Sequence, residues 1–203
     1  METAMMKLMP IDRSQNRQSG FALMEVLFTI VVLTIGLCGM LAMFSVAMAS
    51  TNSTQEDMFA KQEAVETLES IFTARNTSQI TWTDIQNVGN GGKFLDGPQA
   101  ILDPGPDGLA GTADDLNANA NCPGPSQCLV LPGPDGILGT ADDVLAPLNN
   151  YQRTITISDV VDPINGGVDP SLRQITVSIQ YTTTQFKATN KTYSIGGYIS
   201  QYR

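Results

Sequence analysis

Repeated aspartates are the residues of this chain whose types and spacing point most directly to chemistry. A unit rich in glycine, proline and aspartate spans 102–115 and recurs 28 residues later at 130–143. Carboxylates are hard oxygen ligands that suit calcium, and the glycines and prolines impose tight turns that can bring them together. The candidate metal ligands are the side chains of Asp103, Asp107, Asp114, Asp115, Asp135, Asp142 and Asp143 and the backbone carbonyl of Leu109.

The first copy follows the register of an EF-hand loop incompletely. Asp103 falls at position one, Asp107 at five and Asp114 at twelve, whereas Gly105 at position three has no side-chain ligand. The second copy has Leu131 at position one. Two interpretations stay open, a calcium site or a duplicated Asp-Gly turn that faces solvent. Calcium is favoured, most of all in the first copy, because the sequence places no basic residue near the carboxylates and they repel one another unless a cation is present.

A single carboxylate near the N-terminus is the second chemical feature. Glu25 is the only charged residue in an apolar run from Phe21 to Ala49. The run exceeds the roughly 20 residues that cross a bilayer. A carboxylate inside a membrane span costs about 2.5–3.5 kcal/mol on insertion scales, so a retained one indicates function.

The segment Ser19-Gly20-Phe21-Ala22-Leu23-Met24-Glu25 resembles the N-terminal motif of type IV pilins and type II secretion pseudopilins. The resemblance implies that a prepilin peptidase cleaves after Gly20 and methylates Phe21. It also implies that Glu25 pairs with the terminal amine of a neighbouring subunit, which explains why the charge is tolerated. The family most often has Thr where Ala22 stands and Leu or Ile where Met24 stands.

A finer resemblance favours a minor subunit. Glu25-Val26-Leu27, followed by Ile35-Gly36-Leu37-Cys38-Gly39, is similar to V-type minor pilins and I-type minor pseudopilins, and Ala42 stands where major pilins usually have proline. The resemblance implies a structural subunit that takes part in assembly or priming of a type IV pilus. The alternatives are a minor pseudopilin of a type II secretion system and a tip-located, calcium-dependent binding module.

The charges on either side of the apolar run predict its orientation. Lys7, Arg13 and Arg17 precede it, and Glu56 and Asp57 are the first charges after it. Basic residues on one side place the N-terminus in the cytoplasm. The charges thus predict a single span with the rest of the chain outside, and the pilin resemblance implies an inner-membrane protein with a periplasmic head that later enters a filament.

The apolar run also fits an ordinary membrane anchor that carries a fortuitous glutamate. A secretory signal peptide cut after Ala47-Met48-Ala49 fits less well, because the apolar region of a signal peptide has only 7–15 residues. The pilin-like interpretation divides the chain into a leader (1–20), a membrane or filament-core helix (21–49), an amphipathic continuation (50–75) and a head (76–203) with acidic loops (102–145).

Composition argues against two classes of function. The net charge of −9 disfavours nucleic-acid binding by the bulk surface, which needs a basic patch. The chain has no histidine, the commonest general base, and no nucleophile or phosphate-binding motif, so we expect no enzyme.

Cysteines provide one further expectation. Cys122 and Cys128 share a loop that would face an oxidising compartment, which favours a disulfide over two free thiols. Zinc would need four ligands, and only two thiolates are available in that loop.

Periodicity predicts the elements that must position these residues. Helical spacing continues over 54–75, and a short strand is expected at Ile80–Val88. Residues 89–150 are expected to form a long loop. Strands are expected at 153–160, 174–182 and 193–202, where apolar and polar residues alternate. The predicted class is α+β, a long N-terminal helix packed on a small antiparallel sheet, as the pilin resemblance also implies.

Overall fold

The computed structural model describes residues 19–117, 120–164, 166–183 and 188–202, with side chains from Ala22 onward. The predicted leader therefore lies almost entirely outside the described residues. The chain forms two compact units, one ending at Ser50 and one beginning at Thr51. Its elements are helix α1 (Ser19–Asn76) and strands β1 (Gln99–Ala100), β2 (Cys128–Leu131), β3 (Val144–Pro147), β4 (Tyr151–Val161), β5 (Val168–Thr183) and β6 (Thr189–Ser200).

The N-terminal unit contains the first part of α1. Its apolar side chains are exposed around the whole helix, from Leu23 to Met48. A helix with apolar residues on every face cannot bury all of them by packing one face against a core. By length and composition, this helix is long and apolar enough to cross a membrane.

In the second unit, the remainder of α1 packs on an antiparallel sheet. The buried positions of the helix share one face and lie three or four residues apart: Ala60, Ala64, Leu68, Ile71 and Ala74. The sheet contributes buried β-branched residues to the same core: Ile155, Ile157, Ile175, Val177 and Ile179. The α+β class predicted from the sequence is confirmed.

The main sheet has the strand order β1-β4-β5-β6, and all of its pairs are antiparallel. Ile155 faces Val177 and Ile157 faces Ile175 across β4 and β5, which places apolar residues on the same side at period two. The three predicted strands are confirmed, and β5 begins six residues earlier than expected, at Val168. A separate two-stranded sheet joins β2 to β3.

The strand predicted at Ile80–Val88 is wrong. The segment forms turns that lead into a short 3-10 helix, Val88–Asn90. The Asp84 carboxylate accepts hydrogen bonds from the backbone nitrogen and the hydroxyl of Thr81, at 2.8 and 2.6 Å, and so folds the chain back on itself. Ile80 and Trp82 alternate with threonines as in a strand. Ile80 and Ile85 are both buried, however, and an extended backbone would place residues five apart on opposite faces.

The region 89–150 is also more ordered than the predicted long loop. It contains β1, which pairs with β4, and β2 and β3, which pair with each other at the two ends of the second acidic repeat.

Candidate functional site

The N-terminal motif lies at the start of α1, and Glu25 is exposed there among apolar side chains. No salt bridge joins Glu25 to another residue of the described chain. Gly20 and Phe21 belong to the first turns of α1, and the side chain of Phe21 lies outside the described part of the chain. The processing and charge-pairing roles of these three residues therefore stay predictions from the resemblance.

The two acidic repeats have the same backbone architecture. Each is a loop closed by an antiparallel residue pair, Asp103 with Leu116 in the first copy and Leu131 with Val144 in the second. The two pairs are related by the 28-residue shift of the sequence repeat. The duplication is therefore structural as well as sequential.

Within the first copy, the carboxylates accept hydrogen bonds from backbone nitrogens and a hydroxyl of the same loop. The backbone nitrogen of Leu109 donates to Oδ1 of Asp107 at 2.8 Å. The hydroxyl of Thr112 donates to Oδ1 of Asp114 at 2.6 Å, and the backbone nitrogen of Asp107 reaches Oδ2 of Asp114 at 3.3 Å. The Thr112 hydroxyl is the main cause that lowers the pKa of Asp114.

The second copy repeats these hydrogen bonds at the same distances. Ile137 donates to Asp135 at 2.8 Å, Thr140 donates to Asp142 at 2.6 Å, and the backbone nitrogen of Asp135 lies 3.3 Å from Asp142. The Thr140 hydroxyl likewise lowers the pKa of Asp142. The sequence predicts these aspartates to be metal ligands, and the structure shows that they also build the loop.

The equal placement of glycine in the two copies has a steric cause. A Cβ at Gly105 would overlap the carbonyl oxygen of Asp114, and a Cβ at Gly133 would overlap that of Asp142. Glycine permits the two sides of each loop to approach this closely.

The last aspartate of each unit has different surroundings. Asp115 accepts a hydrogen bond from the backbone nitrogen of Gly111 at 2.7 Å and pairs with Nη2 of Arg153 at 3.0 Å. Nη1 of Arg153 also lies 3.8 Å from the Glu63 carboxylate on α1. Burial raises the pKa of Asp115 and of Glu63, and it lowers the pKa of Arg153. The expectation that the first repeat has no basic neighbour is wrong, because Arg153 is distant in sequence and adjacent in space.

Asp103 and Arg153 belong to another feature, a cavity of about 280 Å³. Glu63 and Glu66 of α1 also line it. Among the residues that the structure describes, no three Asp, Glu, His or Cys side chains are arranged to hold a metal ion. The loops hold their shape through hydrogen bonds, and calcium binding stays a prediction that requires their carboxylates to turn towards an ion.

Cys122 and Cys128 are joined by a disulfide, with their Cα atoms 5.6 Å apart. The bond closes the segment between the two acidic loops and ends at the first residue of β2. The side-chain amide of Asn117 donates to the carbonyl of Ser126 within this segment at 2.9 Å. The bridge and this hydrogen bond together fix the start of the second loop.

One polar cluster was missed by sequence reasoning. Asp57 on α1 accepts hydrogen bonds from the Tyr181 hydroxyl at 2.7 Å and from Nζ of Lys191 at 2.8 Å. These bonds, with that of Lys191 the larger cause, lower the pKa of Asp57. Tyr181 and Lys191 lie 124 and 134 positions beyond Asp57, so no local spacing pattern could have indicated the contact.

Comparison with protein-family models, curated proteins and solved structures gave no match to the chain. Function is therefore inferred from the residues and their geometry.

Proposed function

We propose that this chain is a structural, minor pilin-like subunit that takes part in assembly or priming of a type IV pilus. The observation that carries the proposal is a single carboxylate, Glu25, on a helix whose other side chains from Ala22 to Ala49 are uncharged. The exposed apolar surface of this helix needs a membrane or the core of a filament to cover it.

The second unit, which begins at Thr51 and is called the head from here on, fits the same proposal. It is an α+β unit with its own core, and its helix part is amphipathic where the N-terminal part is apolar on all faces. A disulfide between Cys122 and Cys128 is typical of a protein that folds in an oxidising compartment such as the periplasm. The prepilin peptidase, the membrane and other pilin subunits are the partners that this function requires.

Such a subunit acts by packing its N-terminal helix against the helices of neighbouring subunits. Glu25 has no partner among the described ion pairs, and a cation from a neighbouring chain, such as a terminal amine, would compensate its burial. No catalytic step is assigned to the chain itself.

Processing at Gly20 tests the proposal. The full chain is produced in a host with and without an active prepilin peptidase, and its mature form is examined by intact-mass and N-terminal peptide analysis. We expect a chain that begins at methylated Phe21 in the first host, and an uncut chain for Gly20→Val or for the host without the peptidase. A mature chain that begins at Ser50 would overturn the proposal, because it would mean cleavage by an ordinary signal peptidase.

A minor pseudopilin of a type II secretion system is the nearest alternative, and it predicts the same processing. Deletion of the gene separates the two functions. Loss of surface pili with normal protein secretion supports the pilus subunit, and the opposite result supports the pseudopilin.

A further inference from the structure

The apolar pair at the tip of each acidic repeat is buried in one copy and exposed in the other. Leu109 and Ala110 of the first copy are 1% and 5% exposed, and Leu109 belongs to the head's core. Their counterparts Ile137 and Leu138 are 60% and 61% exposed. The second copy therefore presents to solvent the same loop that the first copy packs against the protein.

The glycine that follows the pair shows the same contrast. A Cβ at Gly111 would overlap the side chain of Ile155, and the Gly111 carbonyl accepts a hydrogen bond from the backbone nitrogen of Leu95 at 2.8 Å. A Cβ at Gly139 would meet nothing within 4 Å. Both glycines have a positive φ, 85° and 88°, so the backbone has the same conformation with and without a surface against it.

The terminal carboxylates complete the comparison. Asp115 in the first copy is paired with the buried guanidinium of Arg153. Oδ2 of Asp143, the oxygen equivalent to the one that pairs with Arg153, accepts a hydrogen bond from Gly139 at 2.7 Å and forms no ion pair with a described residue. A guanidinium from another molecule at Oδ2 of Asp143 would reproduce the charge-assisted pair of the first copy.

We propose that the second acidic repeat is a docking loop for a different protein. Ile137 and Leu138 enter an apolar socket on that partner, and a guanidinium at the edge of the socket pairs with Asp143. The first repeat makes the two equivalent contacts within this protein: Leu109 packs in the core of the head, and Asp115 pairs with Arg153. At the base of the same loop, apolar side chains of β2 and β3 are also exposed: Leu129, Val130, Leu131 and Val144.

The described charges favour a different protein over a second copy of the chain. All three arginines of the described residues are engaged within their own head: Arg75 with two backbone carbonyls, Arg153 with Asp115, and Arg173 with Asp159. A second copy would also have its own Leu109 in the one socket known to fit this loop. A lipid surface is disfavoured because Asp135 and Asp142 flank the apolar pair, whereas surface-binding segments carry lysine and arginine.

Site-specific photocrosslinking in cells that make the full chain tests the proposal. A benzophenone amino acid is placed at Ile137 and, as a matched control, at Ile164, which is 88% exposed outside the repeats. We expect a discrete crosslinked protein from position 137 and not from 164. Mass spectrometry should map the crosslink to an apolar segment that contains an arginine.

Charge exchange then tests the role of Asp143. Adding Asp143→Arg to the position-137 chain should lower the crosslinking yield at least about tenfold, and Arg→Asp at the mapped arginine should restore it. A normal Cys122–Cys128 bond and normal protein level in the variant show that the head is folded.

Four results would each overturn the proposal: crosslinks to lipid, crosslinks to a second copy, equal yields at 137 and 164, or a yield that Asp143→Arg leaves unchanged. None of these outcomes depends on cleavage at Gly20, so the docking loop and the pilus function fail separately.

Discussion

Arg153 of β4 and Asp115 of the first acidic repeat form a buried ion pair, with Nη2 and Oδ2 3.0 Å apart. Their side chains are 2% and 5% exposed, and Glu63 of α1 lies on the other side of the guanidinium at 3.8 Å. The pair therefore links the helix, the sheet and the loop in one polar contact inside an apolar core. Removing Asp115 leaves the buried guanidinium with only the 3.8 Å contact to Glu63.

We expect Asp115→Ala to lower the free energy of unfolding of the head (residues 51–203) by about 3 kcal/mol, since it breaks a buried pair and leaves Arg153 with only the longer contact to Glu63. Asp143→Ala is the matched control, because it removes the equivalent bond to Gly139 and no ion pair. That change should cost about 1 kcal/mol. Urea denaturation of the two variants measures both values, and equal losses would show that the pair contributes nothing.

The Asp57 cluster predicts a pH dependence of stability. The pKa of Asp57 in the folded head lies below 3.8, its ordinary value, because Lys191 and Tyr181 donate to the carboxylate. A lowered folded pKa stabilises the head at every pH above 3.8, and the contribution is lost as the pH falls through the folded pKa. Asp57→Asn should therefore destabilise the head at pH 7, and its effect should shrink as the pH falls below 3.8.

The size of this effect is limited by solvent, since the Asp57 side chain is 49% exposed. We expect about 0.5–1 kcal/mol at pH 7. Glu69→Gln provides the control, as an exposed carboxylate on the same helix. Melting curves of both variants between pH 2 and pH 7 are the measurement. A difference between wild type and Asp57→Asn that is the same at both ends of this range would contradict the linkage.

Alternation and helical spacing were sufficient to predict α1 and the three long strands. These elements depend on local periodicity, and the apolar positions that repeat along them meet in one core. The segment Ile80–Val88 shows the limit of such patterns. Its side chains are patterned like a strand, but Thr81 and Asp84 form a local turn that no count of apolar positions detects.

The acidic repeats show a different limit. Their similarity in sequence predicts one structure for both, and the hydrogen bonds agree. It does not predict that Leu109 is buried and Ile137 exposed, because that difference depends on Arg153 and Ile155 of β4, which lie some 40 residues beyond the first copy. Packing against residues distant in sequence therefore buries one of two similar loops and leaves the other exposed.

A steric prediction follows for the loop glycines. We expect Gly105→Ala to destabilise the head by about 1–3 kcal/mol, because its Cβ would overlap the Asp114 carbonyl and force the loop apart. Gly167→Ala is the control, since a Cβ there meets nothing within 4 Å and the position has no positive φ. That variant should be neutral or more stable by up to about 1 kcal/mol. Thermal unfolding of both heads is the measurement, and a neutral Gly105→Ala would contradict the close approach of the two loop segments.

Glu25 should matter for assembly and little for insertion. Glu25→Ala removes a charge from an apolar helix, so the precursor should still enter the membrane. The proposed pairing with a neighbouring subunit is lost. We expect normal amounts in the membrane fraction and depletion from sheared filaments, measured by immunoblot of both fractions. Glu56→Gln, which lies beyond the apolar run, should be incorporated normally. Normal incorporation of Glu25→Ala would contradict the proposed role.

Calcium binding by the acidic loops predicts a metal-dependent stability. If Asp103, Asp107 and Asp114 turn towards an ion, calcium should raise the melting temperature of the head, with a gain of about 2.7 kcal/mol at a free concentration 100-fold above the dissociation constant. Magnesium should do less, because it demands tighter octahedral geometry and loses water reluctantly. Scanning calorimetry in chelator, in millimolar calcium and in millimolar magnesium measures the three states.

Asp107→Ala with Asp114→Ala should abolish the calcium response. It should also lower the metal-free melting temperature, since both carboxylates accept hydrogen bonds from the loop. Asp135→Ala with Asp142→Ala is the matched change in the second copy, which lacks an acidic residue at position one, and it should leave most of the response intact. If the wild-type head has the same melting temperature in chelator and in calcium, these loops are acidic turns held by hydrogen bonds alone.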